Sequence, residues 1–150
     1  MSTRTNTVSR LAMAATMLPT SLMATGNADG AWALLESIQT EEIETATDWH
    51  VAKIFPSEMK DGIAQFDISG FAVPLYGDGA VREFILVSNM GFCPFCGDPD
   101  HGTSLTVELD VPLDTLEDGQ PITVRGALEP VRDPGTMMTA IMRRAQILTD

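Results

Sequence analysis

Cysteine is scarce in this 150-residue chain, which has two thiols, one tyrosine, two histidines and nine basic residues against 21 acidic ones. Two cysteines are too few for a disulfide-stapled scaffold, or for a four-thiolate zinc module supplied by one chain. The shortage of positive charge leaves a formal net charge of -12. Such a chain repels phosphate backbones and anionic headgroups, which argues against nucleic acid and membrane surfaces as partners and favours cations or basic protein surfaces. No apolar run reaches the ~18 residues of a membrane span, and no internal repeat or low-complexity tract occurs. A Ser/His/Asp pattern, a phosphate loop and a His-Glu-x-x-His signature are also missing, so a hydrolase would have no named nucleophile. What remains is a length that suits one domain and an apolar content of 44%, enough for one sizeable core.

The first residues have the order of an export signal. Met1 to Arg10 is polar, carries Arg4 and Arg10 and holds no acid, whereas Leu11 to Ala24 is apolar apart from Thr16, Thr20 and Ser21. Small residues follow at Ala24, Gly26 and Ala28, and the expected cleavage lies after Ala28. Pro19 interrupts the apolar run and every acid lies at or beyond Asp29, which fits a removed leader better than a buried N-terminal helix. No cysteine follows the apolar stretch, so lipid attachment at a processed N-terminal cysteine is not expected. Cleavage would leave seven basic residues against 21 acids, or a charge of -14, in a periplasmic or secreted protein of an oxidising compartment.

Residues 29–62 read as an N-terminal helix and a connector. Asp29 is a candidate N-cap, and Trp32, Leu35 and Ile38 recur at three-residue spacing, on one helical face that would dock on a core. The acidic stretch Glu41, Glu42, Glu44 and Asp48 then leads through Trp49 and His50 to Phe55-Pro56, as a solvated connector. From Ile63 onward the pattern is that of strands: Ile63 to Leu75, Arg82 to Ser88, Thr103 to Leu109, Ile122 to Leu128 and Ala145 to Leu148. Tyr76-Gly77-Asp78-Gly79 reads as a hairpin turn between the first two, and Pro112 to Pro121 has room for one helical turn. Gly70 and Gly126 fall inside strands, where glycine marks a bulge or sharp coil. The expected fold is mainly β with one or two short helices, a small five-stranded OB-like barrel over residues 63–150 whose core includes Ile68, Phe84, Leu86, Val107, Val124 and Leu128. That fold name carries no activity.

Chemistry concentrates in Met90-Gly-Phe-Cys93-Pro-Phe-Cys96-Gly97-Asp98-Pro-Asp100-His101, between the second and third of these strands. The thiol pair admits three readings. As a metal site, Cys93 and Cys96 form a knuckle that supplies two of the four ligands of a closed zinc site; His101 is a third donor, and Asp98 or Asp100 a fourth. Met90 adds a soft donor that invites copper(I), although its spacing from Cys93 is one residue longer than in typical copper chaperones. As a redox pair, Cys-Pro-Phe-Cys after an apolar strand resembles the glutaredoxin active site, where a helix N-terminus lowers the thiol pKa. Here Gly97, Asp98, Pro99 and Asp100 follow, which make a poor helix and place acids where they raise that pKa. The third reading is a local disulfide that pins the loop. His50 is expected to pack beside Trp49, and Met59, Met137, Met138 and Met142 to fill core or surface.

Taken in order, Trp32-x-x-Leu35, Phe55-Pro56-x-Glu58-Met59, Asp67-Ile-Ser-Gly70-Phe71-x-Val73-Pro74-Leu75, Glu83-Phe84-x-Leu86-Val87, Cys93-Pro-Phe-Cys96 and Val124-x-Gly126-x-Leu128 resemble an uncharacterised exported bacterial family described only as a domain of unknown function. The resemblance implies a small periplasmic or secreted β protein, lipid-anchored in some members and coded near ABC-type permease components in some genomes, with suggested links to metal handling and no established catalytic residues. This chain departs from the anchored members in lacking the leader cysteine. The function expected from residues and resemblance together is a non-enzymatic periplasmic binding or accessory protein, handling zinc or copper through the Cys93 to His101 loop. Its expected partner is an envelope protein or an ABC-type transporter component. A thiol-disulfide oxidoreductase and a structural interaction module with a local disulfide stand as the alternatives.

Overall fold

Helix α1 (Ala28–Glu36) opens the described part of the chain in the computed structural model, which describes residues 28–75, 79–90 and 103–148. Alanine and leucine make ADGAWALLE a good helix former, and Asp29 sits in its first turn, where a carboxylate meets the positive end of the helix dipole. The helix ends as Ser37 donates its backbone N–H to Ala33 O at 3.1 Å and its hydroxyl to Leu34 O at 2.6 Å. Ala31, Trp32 and Leu35 are buried and Ile38 packs against them, as the three-residue spacing predicts.

The acidic stretch after this helix differs from the expected connector. Strands β1 (Gln39–Glu44) and β2 (Trp49–Ile54) form an antiparallel hairpin, in register from Gln39 opposite Ile54 to Glu44 opposite Trp49. Thr45 closes the turn: its N–H donates to Asp48 O at 2.8 Å, and its hydroxyl oxygen accepts from Asp48 N–H at 3.0 Å. Charge frequency signals solvation but is silent on pairing. Here the turn chemistry of Thr45 and the β-branched Thr40, Ile43, Val51 and Ile54 decide for strands. Tertiary bonds hold the hairpin in place, since Val51 N–H donates to Pro134 O at 2.9 Å. Lys53 Nζ donates to the carbonyls of Val131, Asp133 and Met138 at 3.2, 2.7 and 2.7 Å. A short 3-10 turn (Ser57–Met59) then buries Met59 completely.

Five strands build the main body: β3 (Ile63–Pro74), β4 (Val81–Val87), β5 (Ser104–Leu113), β6 (Gln120–Pro130) and β7 (Ala140–Leu148). They close into a barrel in the order β3-β4-β5-β7-β6, with β6 pairing back onto β3. Every pair is antiparallel except β5 with β7, which is parallel. Numbered within the barrel this is 1-2-3-5-4, the topology of the expected OB-like barrel. The connection from β5 to β6 differs from expectation: β5 continues through Leu113 and a tight turn at Asp118 and Gly119 takes the place of a helical turn. Leu113 still pairs with Val81 of β4, and beyond it Gly119 N–H donates to Ala72 O at 2.8 Å and Gln120 N–H to Glu117 O at 3.2 Å, so the bonds of this connection go to a neighbouring strand and a turn rather than to a helix. Within the expected hairpin turn, Tyr76, Gly77 and Asp78 lie outside the described residues, as does the leader up to Asn27.

Barrel closure concentrates strain in β7. Register shifts between Arg125 and Ala127 on β6 and between Val107 and Leu109 on β5 both face Arg144, which adopts φ 50°, a left-handed conformation rare for a side-chain-bearing residue. Gly126 is the other half of this bulge: a Cβ there would lie 2.7 Å from Met142 Cγ and 2.8 Å from Arg143 O. Inside, Ile68, Phe84, Leu86, Val107, Val124 and Leu128 are all buried, joined by Met59, Leu105 and Met142. Met137 and Met138 are exposed, so the methionines divide between core and surface.

Candidate functional site

Trp32 fixes where α1 meets the barrel. Its indole Nε1 donates to Ser69 O at 2.8 Å, and its ring lies over Gly70, where a Cβ would come 3.0 Å from Trp32 Cζ2 and 2.6 Å from Val87 O. Glycine at 70 is therefore what lets helix and strand approach this closely. Beside this contact an open groove of ≈ 530 Å³ is lined by Trp32, Ser69, Phe71, Ser88, Gln120 and Thr123 among others. Its polar floor is a cross-strand pair, Ser69 Oγ to Thr123 Oγ1 at 2.8 Å. One pair further along the same face, Asp67 and Arg125 form a two-bond ion pair at 2.6 and 2.5 Å. The hydrogen bonds from Arg125 hold the Asp67 carboxyl below its ordinary range, against a smaller opposing effect of burial, and the guanidinium is raised in turn.

Ser88 links this groove to the thiol-bearing segment. It lines the groove, its N–H donates to Thr103 O at 3.0 Å, and its hydroxyl oxygen accepts from Thr103 N–H at 3.0 Å. Thr103 Oγ1 in turn donates to Glu36 Oε1 at 3.2 Å, at the last residue of α1. On the other side Met90 lies over the β5–β6 turn, where a Cβ on Gly119 would meet its methyl at 2.5 Å. The segment is thus rooted on a stem tied to α1, to β4 and β5, and to the turn before β6.

Cys93, Cys96, Asp98, Asp100 and His101 lie outside the described residues, and Met90 stands at their border, exposed. Among the described residues no three His, Cys, Asp or Glu side chains gather in a metal-holding group. His50 does not line the groove: on the hairpin its Nδ1 lies 3.0 Å from Asp48 Oδ2, and the side chain is partly exposed rather than packed. Thr123 and Ser88 carry no signal in the sequence, and Ser69 carries one only as part of the Asp67-Ile-Ser-Gly70 motif, because hydroxyl residues in strands are common and only the fold brings the three to one groove.

A comparison with curated proteins returned no match. Among solved structures the chain is similar to a DUF3299 family protein from Pseudomonas aeruginosa PAO1, at 23% identity over 65% of this chain and 68% of that one, with a TM-score of 0.44. A family profile described as "Protein of unknown function (DUF3299)" matches residues 15–144, a span that includes the motifs from Trp32 to Leu128 and the barrel strands as far as Arg144. The chain belongs to the DUF3299 family.

Proposed function

We propose that this protein is a non-enzymatic accessory protein of the cell envelope that binds zinc or copper(I) through Cys93 and Cys96 and delivers it to an envelope protein or an ABC-type transporter component. The observation that carries the reading is the double role of Ser88, which lines the open groove and closes the stem from which the thiol segment leaves. A soft-donor segment rooted at a groove rim can combine metal capture with recognition of a partner at the same place. The donor set fits either metal. Two thiolates, an imidazole from His101 and a carboxylate from Asp98 or Asp100 would together make a four-ligand zinc set, while the thiolates alone would suit copper(I).

The test is equilibrium titration of the reduced chain from Asp29 onward with zinc or copper(I) against a competing chelator. One equivalent is expected to bind, with the Cys93→Ser/Cys96→Ser double variant losing that binding and His101→Ala weakening it for zinc. Wild-type affinity no better than that of the double variant would overturn the metal reading. Turnover of a model disulfide by Cys93 would replace it with the oxidoreductase reading. Export is tested separately by the N-terminus of the protein recovered from an envelope fraction, expected at Asp29; an intact Met1 would contradict it.

A further inference from the structure

Closing the five-stranded barrel pairs all its strands, so among the described residues the open sheet edges belong to the β1–β2 hairpin. Its two edges are unlike. Thr45 N–H donates to Asp48 O, which puts the mutually bonded pairs of the ladder at 39, 41 and 43 and turns the backbone groups of Thr40, Glu42 and Glu44 away from β2. The same alternation turns Trp49, Val51 and Lys53 toward the outer side of β2, and there Val51 N–H is taken by Pro134 O. The β2 edge is therefore in use. Among the described residues no strand lies on the β1 edge, and β1 is exposed at every position except the half-buried Ile43.

The side chains of β1 say what could pair there. Glu41, Glu42 and Glu44 place a carboxylate at three of its six positions and on both of its faces. A second copy of this chain pairing β1 with β1 would set those carboxylates against one another, and like charges across a strand pair are destabilising. Charged edges ordinarily discourage strand addition. An edge charged with one sign discourages it selectively, because a strand carrying lysine or arginine meets attraction where an acidic or neutral one does not. Trp49 Nε1, across the ladder on β2, donates to Glu42 Oε2 at 3.3 Å, so this carboxylate is held on the hairpin face beside the edge. We propose that the outer edge of β1 docks a basic extended segment of another protein as a third strand, bonded to the backbone of Thr40, Glu42 and Glu44 and paired in charge with Glu41, Glu42 and Glu44. This goes beyond the metal reading and does not depend on it.

The probe is a fluorescein-labelled octapeptide alternating lysine with valine or threonine, titrated with the full chain in fluorescence anisotropy at low salt. Saturable one-to-one binding is expected. Two changes are expected to weaken it at least tenfold: N-methylation of two adjacent central peptide nitrogens, which blocks both edges of the peptide and leaves its charge intact, and Glu42→Pro in the protein. Glu42 N–H points away from β2, so proline there removes an edge donor and spares the β1–β2 ladder. A second variant, Glu42→Gln/Glu44→Gln, keeps every backbone donor and is expected to weaken binding in step with the charge removed. Equal binding of the N-methylated peptide would show charge attraction without strand addition and would overturn the proposal, as would the absence of saturable binding. A dimer of the free chain that dissolves in Glu42→Pro would assign the edge to a second copy instead, and would overturn it too.

Discussion

Asp67 and Arg125 face each other across β3 and β6 in a two-bond geometry that an exposed lysine could not reproduce. The folded pKa of Asp67 is depressed, so the pair's stabilisation is complete above the unfolded carboxyl value of about 3.9 and is lost as pH falls through the lower folded value. Asp67→Asn is therefore expected to lower the melting temperature at pH 7 by about 1–3 °C, as for a partly exposed ion pair. Its difference from wild type should shrink as the pH falls below about 4. Thermal melts of both proteins across that range check the sign. Gly70 gives a sharper effect, because an added methyl has nowhere to go between Val87 O and Trp32. Gly70→Ala is expected to cost about 1–3 kcal/mol in chemical denaturation, and to raise Trp32 exposure in quenching measurements.

At the scale of elements, α1 and the barrel strands were legible and the hairpin was not. The spacing of Trp32, Leu35 and Ile38 identified a helical face because periodicity reports burial, and that face is buried. The barrel strands are legible from alternation in β3 and β5 and from apolar, β-branched runs in β4 and β6, but β7 begins at Ala140, five residues before the expected Ala145. The reason is the bulge at Arg144, which breaks the alternation in the middle of the strand and conceals its first half. The β1–β2 hairpin is concealed for a different reason: the glutamates of β1 signal solvation and outweigh its β-branched residues, and the bonds that anchor it, from Lys53 and Val51 to the β6–β7 connection, reach some 80 residues along the sequence. Burial lowers the pKa of Lys53 and Asp133 partly opposes the shift, while three carbonyls take up the ammonium's donors. Lys53→Met leaves those carbonyls without that donor and is expected to cost about 1 kcal/mol. Amide exchange should quicken across Gln39–Glu44 and Trp49–Ile54 while the barrel remains protected.

For the whole molecule the barrel core is the principal source of stability, and a local crosslink between Cys93 and Cys96 would be a minor one. Leu86 is fully buried, and Leu86→Ala is expected to cost about 2–5 kcal/mol. A disulfide across so short a loop would constrain the unfolded chain far less than the ~3 kcal/mol of a 15-residue loop. Reduction should therefore lower the melting temperature only slightly, and collapse on mild reduction would make the thiol segment a structural staple. The core was readable because apolar alternation records it directly. The groove was not, since its hydroxyls meet only through the β3–β6 register and through the Ser88–Thr103 stem. Whether the thiol segment and the groove act as one site is decided by amide NMR of the reduced protein during addition of one equivalent of zinc. The signals of Ser88 and Thr103 are expected to shift with the metal, and to stay in place in the Cys93→Ser/Cys96→Ser variant. Metal binding that leaves Ser88 and Thr103 unmoved, or shifts that persist in the double variant, would contradict it.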